Sequence, residues 1–236
     1  MIDELDGQFV LAVPRERLVS AGLCAGFVPP ERAADVLEEV LVSGDFVPRH
    51  RAEHDSSLVQ PIPAALIHAN AKVLVLERRE RNKRSHLHRR LVLWAGGHVQ
   101  IEDAVPVPQD LLMSALGREL AEELDLAVGK PDLRGIVSDG KSLHFAVVYD
   151  VPASAPLGAV ANTNEEFRLS RGKSPSGYFL DLDSLDKRYN QLESWSKMIL
   201  ADILLRRVRL PQGAKSESQL KFDMVTLNPA FLGREN

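Results

Sequence analysis

The apolar positions along the chain change period from block to block, and the changes mark out its elements. FVLAVP, residues 9 to 14, is a run of strand length. PERAADVLEEVLVSG opens on proline, repeats apolar residues at helical spacing and closes on glycine, which predicts a helix from about Glu31 to Val42. After the polar stretch PRHRAEHDSS, the runs IPAALIHA and KVLVLERR flank Asn70-Ala71 as the two arms of a hairpin. ERNKRSHLHRRLVLWAGGHVQIED then passes from a basic loop into an apolar strand and a turn at Gly96-Gly97. LRGIVSD and LHFAVVYDV predict further strands, and Leu185, Leu192, Trp195, Ile199 and Ile203 form the apolar side of a helix from roughly Asp183 to Arg206. The tail LPQGAKSESQL is polar, and KFDMVTL has the composition of a last strand. The twin FVP triplets at Phe27 and Phe46 are too short to mark a repeat.

These elements describe an α/β (α+β) protein, a sheet flanked by helices, with an N-terminal α/β extension. The expected division is 1–58 for the extension, 59–208 for the main domain and 209–236 for the tail. A length of 236 residues with 44% hydrophobic content supports a core. A net charge of -4 supplies no global basic field, so nucleic acid is not an expected partner and any polyanion contact must be local. The single cysteine, Cys24, excludes an internal disulfide framework and a zinc site built on several thiolates, and fits a reducing compartment. The acidic N-terminus lacks the basic and apolar regions of a signal peptide, and no run of about eighteen apolar residues occurs. A cytoplasmic protein with no membrane partner is expected.

GRELAEELDL, residues 117 to 126, crowds four carboxylates into ten residues. At 100° per residue, Glu119, Glu122 and Glu123 fall within roughly a 100° sector beside the apolar stripe Met113, Leu116, Leu120 and Leu124. Like charges three and four apart cost a helix a few tenths of a kcal/mol per pair, so the cluster is mildly unfavourable without a cation. It is either a solvated acidic face or a ligand set for a hard divalent ion such as Mg²⁺ or Mn²⁺, which takes carboxylate oxygens, waters and substrate phosphates.

WAGGHVQIED and GRELAEELDL together resemble the Nudix box, Gly-x5-Glu-x7-Arg-Glu-U-x-Glu-Glu-x-Gly-U, where U is a bulky aliphatic residue. Arg118, Glu119, Leu120, Glu122, Glu123 and Leu126 match its second half, and Gly97 matches its first glycine. Asp103 stands where the pattern has glutamate, the spacer from Asp103 to Arg118 holds 14 residues, and Asp125 replaces the second glycine. A longer loop costs little closure entropy, Pro108 and Asp110 can restart the helix, and aspartate tolerates the left-handed backbone of a helix C-cap. The resemblance extends from about Val59 to Arg207, and VPRE, GFVP, GGH and ESWS resemble a MutT-like branch of phosphoesterases.

The resemblance implies a Nudix-like α/β/α sandwich with a mixed sheet and a metal-dependent hydrolase that cuts a pyrophosphate bond in a nucleoside diphosphate joined to a second group. Glu119, Glu122 and Glu123 would hold Mg²⁺ or Mn²⁺ with the Gly97 carbonyl, Arg118 would orient a glutamate, and Asp103 would keep a supporting role. For the general base the sequence offers Glu123, Glu165, Glu166 and Glu193. Substrate contacts are expected from His98, from Arg89 and Arg90 at the end of the basic loop, and from Trp94. His86 and His88 could also meet phosphate; Trp94 and Trp195 could stack on a base, though a large aromatic at an apolar strand or helix position is more often core. The alternative is a non-catalytic Nudix-fold nucleotide sensor; the isomerase chemistry known on this fold needs a site cysteine, and Cys24 lies far from the box. The extension reads as a lid over the substrate pocket, and a homodimer through an N-terminal strand is open.

Overall fold

The computed structural model describes residues 7–77, 90–105, 107, 110–124, 126–153 and 177–206. In chain order the elements are β1 (Phe9–Pro14), α1 (Arg15–Ser20), β2 (Gly26–Val28), α2 (Pro30–Ser43), β3 (Asp45–Pro48), α3 (Arg49–Ala52), β4 (Leu58–Ala69), β5 (Lys72–Glu77), β6 (Leu91–Val92), β7 (Ala95–Gly96), α4 (Leu111–Glu123), β8 (Asp132–Ser138), β9 (His144–Pro152), β10 (Gly177–Leu180), α5 (Leu182–Asp186) and α6 (Ser194–Arg206). The main sheet runs β10-β5-β4-β9-β8-β2, with β1 and β7 also pairing with β4 and β6 with β5. β4 and β9 pair in parallel and the other pairings are antiparallel, so the sheet is mixed. Helix α4 packs on β4 and β7, and α6 packs on β2 and β8.

β4 is the axis of the fold, buried from Val59 to Ala69 and paired along Gln60 to His68 with β9. Its other edge is used in pieces: β1 pairs at Leu58 and Val59, β7 at Ala64 and Ala65, and β5 at His68 and Ala69. Pro61 and Pro63 fall between the first two pieces. Because Gln60 N–H points to β9 through Leu143 O, alternation aims positions 61 and 63 at the other edge, where proline's missing donor costs nothing. The prolines thus mark the gap in the ladder past which the segment after β7 runs.

The N-terminal segment is woven into this sheet. β1 pairs with β3 and with β4, and β2 forms the edge strand beside β8. The hairpin between β4 and β5 turns on Asn70 and Ala71, both at positive φ (49° and 61°), as a tight two-residue turn requires. The helix expected from Asp183 to Arg206 is broken in two: α5 ends at Asp186, Tyr189–Gln191 form a 3-10 turn, and α6 begins at Ser194. Glu193 causes the restart, since its Oε2 accepts Trp195 N–H at 2.8 Å and its Oε1 accepts from Ser196. That carboxylate satisfies N–H groups that a helix start leaves without intrahelical partners. Helix α4 starts at Leu111 with Asp110 at its N-cap position, while Pro108, Asp125 and the tail strand expected at KFDMVTL lie outside the described residues.

Candidate metal and substrate site

The site is assembled where the segment after β7 crosses α4. Gly96 has φ +148°, and a Cβ there would run into the Pro63 carbonyl, so the backbone demands glycine. Gly97 meets a different constraint: its φ is not positive, but a Cβ would lie 2.5 Å from the carboxyl carbon and both oxygens of Glu119. The backbone of Gly97 therefore abuts a glutamate carboxylate with nothing between them.

Arg118 ties the parts together. Its Nε and Nη2 donate to the two oxygens of Asp103 at 2.8 and 2.9 Å, a bidentate fork. Nη2 also donates to His98 O at 2.9 Å, and Nη1 to Glu119 Oε1 at 2.9 Å and Glu122 Oε2 at 3.2 Å. Asp103 ends the 3-10 turn Ile101–Asp103 and accepts Gln100 N–H at 2.8 Å, so it is fixed on both sides and only 3% exposed. One guanidinium thereby fastens the glycine segment and the turn to the carboxylate face of α4. These bonds, with Asp103 first, raise the Arg118 pKa.

The three glutamates meet different surroundings. Glu119 is buried, and burial raises its pKa against the opposing pull of Arg118. Glu123 is buried and accepts Gly96 N–H at 3.1 Å, whereas the Glu122 side chain is 58% exposed. Among the described residues no three His, Cys, Asp or Glu side chains converge as a finished metal cage. The donor set nevertheless fits a hard divalent ion, since it is all oxygen, surplus in negative charge and set against a glycine whose missing side chain lets backbone approach Glu119 closely.

His98 is half-buried, and its Nε2 lies 3.4 Å from His144 Nε2, the rings meeting edge to face. Arg90 is exposed and donates to Asn190 O at 2.9 Å. Trp94 lies in the core, its indole N–H on Glu193 Oε1 at 3.0 Å and its ring 5.4 Å from that of Trp195. Both oxygens of Glu193 are occupied by Trp94 and the start of α6, so its place is structural. Arg89, His86, His88, Glu165 and Glu166 lie outside the described residues.

Sequence reasoning passed over His144 and the cluster of buried Arg134 and Asp202 with half-buried Asp150. The alternation in HFAVVYDV puts His144, Ala146, Val148 and Asp150 on one face of β9. Polar residues at both ends of an otherwise apolar face were the available signal.

No family model matches the chain. Protein YmaB of Bacillus subtilis (strain 168) is 26% identical over 212 residues, 84% of this chain and 97% of that protein. Among solved structures, Tm1382, a protein assigned to the Nudix hydrolases, superposes with a TM-score of 0.67 at 22% identity over 84% of this chain and 99% of its own. A Nudix hydrolase from Nitrosomonas europaea aligns over 65% of this chain with a TM-score of 0.44 and 16% identity. The chain has the Nudix fold, with a mixed sheet and flanking helices. Among the described residues no helix is long and apolar enough to cross a membrane.

Proposed function

We propose that this protein is a metal-dependent hydrolase of the Nudix kind, acting in the cytoplasm, that cleaves a phosphoanhydride bond in a nucleoside diphosphate joined to a second group by attack of water at phosphorus. The observation that carries the reading is the Arg118 knot, which brings the two separated halves of the sequence motif, Gly97 to Asp103 and Arg118 to Glu123, into direct contact. A solvated acidic face has no use for a buried aspartate and a glycine fitted against a glutamate.

Glu119, Glu122 and Glu123 would hold Mg²⁺ or Mn²⁺ with the Gly97 carbonyl. The ion supplies charge neutralisation for an anionic substrate and a water of lowered pKa. Arg118 holds Glu119 and Glu122 in orientation and keeps Asp103 neutralised, the work of a group behind the ligands. Among the described candidates for the base, Glu123 is the one at the glycine turn. His98 and Arg90 would contact the substrate.

Product release from a panel of nucleoside diphosphate derivatives, with Mg²⁺ or Mn²⁺, tests the proposal. Wild type is expected to turn over at least one compound only with metal. Glu122→Gln, an exposed and near-isosteric change, is expected to lose at least the ~100-fold that loss of a ligand's supporting partner can cost. Turnover without metal, or an unimpaired variant, would overturn the reading. Nucleotide binding with no cleavage anywhere on the panel would favour the sensor.

A further inference from the structure

The segment Gly97–Gln100 carries three of the site's backbone contacts, yet it belongs to no strand or helix. It abuts Glu119 at Gly97, accepts from Arg118 at His98 and donates to Asp103 at Gln100. An irregular segment needs external restraint to hold such contacts, because ordering each residue costs about 1–2 kcal/mol of backbone entropy. Two restraints are visible. β1 lies along its outer side, with Leu11 N–H donating to Val99 O at 2.8 Å and Val10 bridged to Gln100. His144, at the start of β9, meets the His98 ring. β9 is the strand paired in register with β4, and His144 stands opposite Gln60 in that ladder, so its Cα is fixed by the centre of the sheet.

Resting on the function proposed above, we infer that His144 is a positioning residue of the site, acting through His98 to hold the Gly97–Gln100 segment against α4, with β1 closing the other side. The two imidazoles are joined Nε2 to Nε2, so one ring donates and the other accepts, and the His98 ring is anchored to the sheet. Its own carbonyl then presents a fixed acceptor to Arg118. On this view the N-terminal segment is a wall of the site: the strand that restrains Val99 is itself held by β3 and β4.

The test uses the full chain with His144→Phe, which keeps the ring and removes its nitrogens, and His144→Gln, which restores a polar end at similar reach. Mn²⁺ binding is read by electron paramagnetic resonance without substrate, and kcat and KM on whichever diphosphate wild type cleaves. His144→Phe is expected to weaken Mn²⁺ binding and lower kcat, each by about tenfold, with KM little changed, and His144→Gln to recover most of both. Should His144→Phe fold poorly, His144→Leu at wild-type melting temperature takes its place: Mn²⁺ binding weaker than in the Gln variant supports the inference, and affinity equal to wild type overturns it. A Phe variant equal to wild type in Mn²⁺ affinity and kcat overturns it, as does a rise in KM alone, which would make His144 a substrate contact. If wild type binds no Mn²⁺, the metal reading falls and the inference with it. If wild type binds Mn²⁺ and turns over while His144→Phe matches it, only the inference falls.

Discussion

Two arginines gather carboxylates in this fold, and they do so to opposite ends. Arg118 reaches Asp103, Glu119 and Glu122 at the rim of the sheet, with the Glu122 side chain 58% exposed. Arg134, on β8, is buried: its Nη1 forks onto Asp150 at 2.9 and 3.1 Å and its Nη2 meets Asp202 of α6 at 2.9 Å. The ingredients are the same, yet one centre offers surplus charge to solvent beside a glycine and the other encloses its charges between sheet and helix. Buried ion pairs of the second kind repay their desolvation only through close geometry. The contrast teaches that access and a neighbouring backbone cradle make an arginine among carboxylates a candidate binding site, whereas enclosure makes it a clamp, here one that ties α6 to β8.

The strongest way to break this comparison is Arg134→Met. The change keeps volume while leaving buried Asp202 and half-buried Asp150 without their cation, and removing one partner of a buried pair such as Arg134–Asp202 costs about 3–5 kcal/mol. Burial already raises the Asp150 pKa despite Arg134, so its carboxylate is the group with most to lose. Urea denaturation is expected to show that loss, while Mn²⁺ affinity of the folded protein stays at the wild-type level. A selective loss of metal binding with normal stability would mean the two centres are not separate in function.

Gly97→Ala is expected to give the reverse. The new Cβ meets the end of a flexible side chain, not backbone, so Glu119 can swing aside and the urea midpoint should barely move. Glu119 would then leave its place against the Gly97 backbone, and metal affinity and turnover are expected to fall about 10–100-fold. Unchanged Mn²⁺ binding in a stable Ala variant would show that this close approach serves packing alone.

That difference also explains what could be read from the chain. The Arg118 site was legible because most of its parts lie in two short stretches: helical periodicity put Glu119, Glu122 and Glu123 on one face, and spacing related them to Gly97 and Asp103. The expected strands at FVLAVP, around Asn70-Ala71, and at LRGIVSD and LHFAVVYDV are present as β1, β4, β5, β8 and β9. The Arg134 clamp was not legible, because it joins residues 134, 150 and 202, and only the register of β8 on β9 and the docking of α6 bring them together. His144 was hidden for the same reason, its meaning depending on a ring 46 positions away. The break at Glu193 escaped because the apolar spacing runs on through Leu192 and Trp195, and the signal lay in a carboxylate that prefers to cap a new helix than to continue an old one.

A smaller effect sharpens the comparison from the clamp's side. His68 is buried on β4 within electrostatic reach of Asp150 and Arg134, and its Nε2 has no hydrogen-bond partner among the described residues. Burial is the main cause that lowers its pKa from 6.5, with Asp150 opposing and Arg134 assisting. A lowered histidine binds its proton less well folded than unfolded, so its contribution is fully present above 6.5 and is lost as pH falls from there through the folded value. His144, lowered by burial too, acts in the same direction. The raised carboxylates Asp150 and Glu119 act oppositely, adding stability as pH falls through their raised values. The wild-type curve is the sum of these terms, so the quantity to measure is the difference between wild type and His68→Leu in urea stability as a function of pH. That difference is expected to be flat above pH 6.5 and to move in favour of the Leu variant as the solution is acidified. A difference that stays flat below 6.5 would mean His68 is held in the clamp at its ordinary proton affinity, and that the enclosure around Arg134 is wetter than its burial implies.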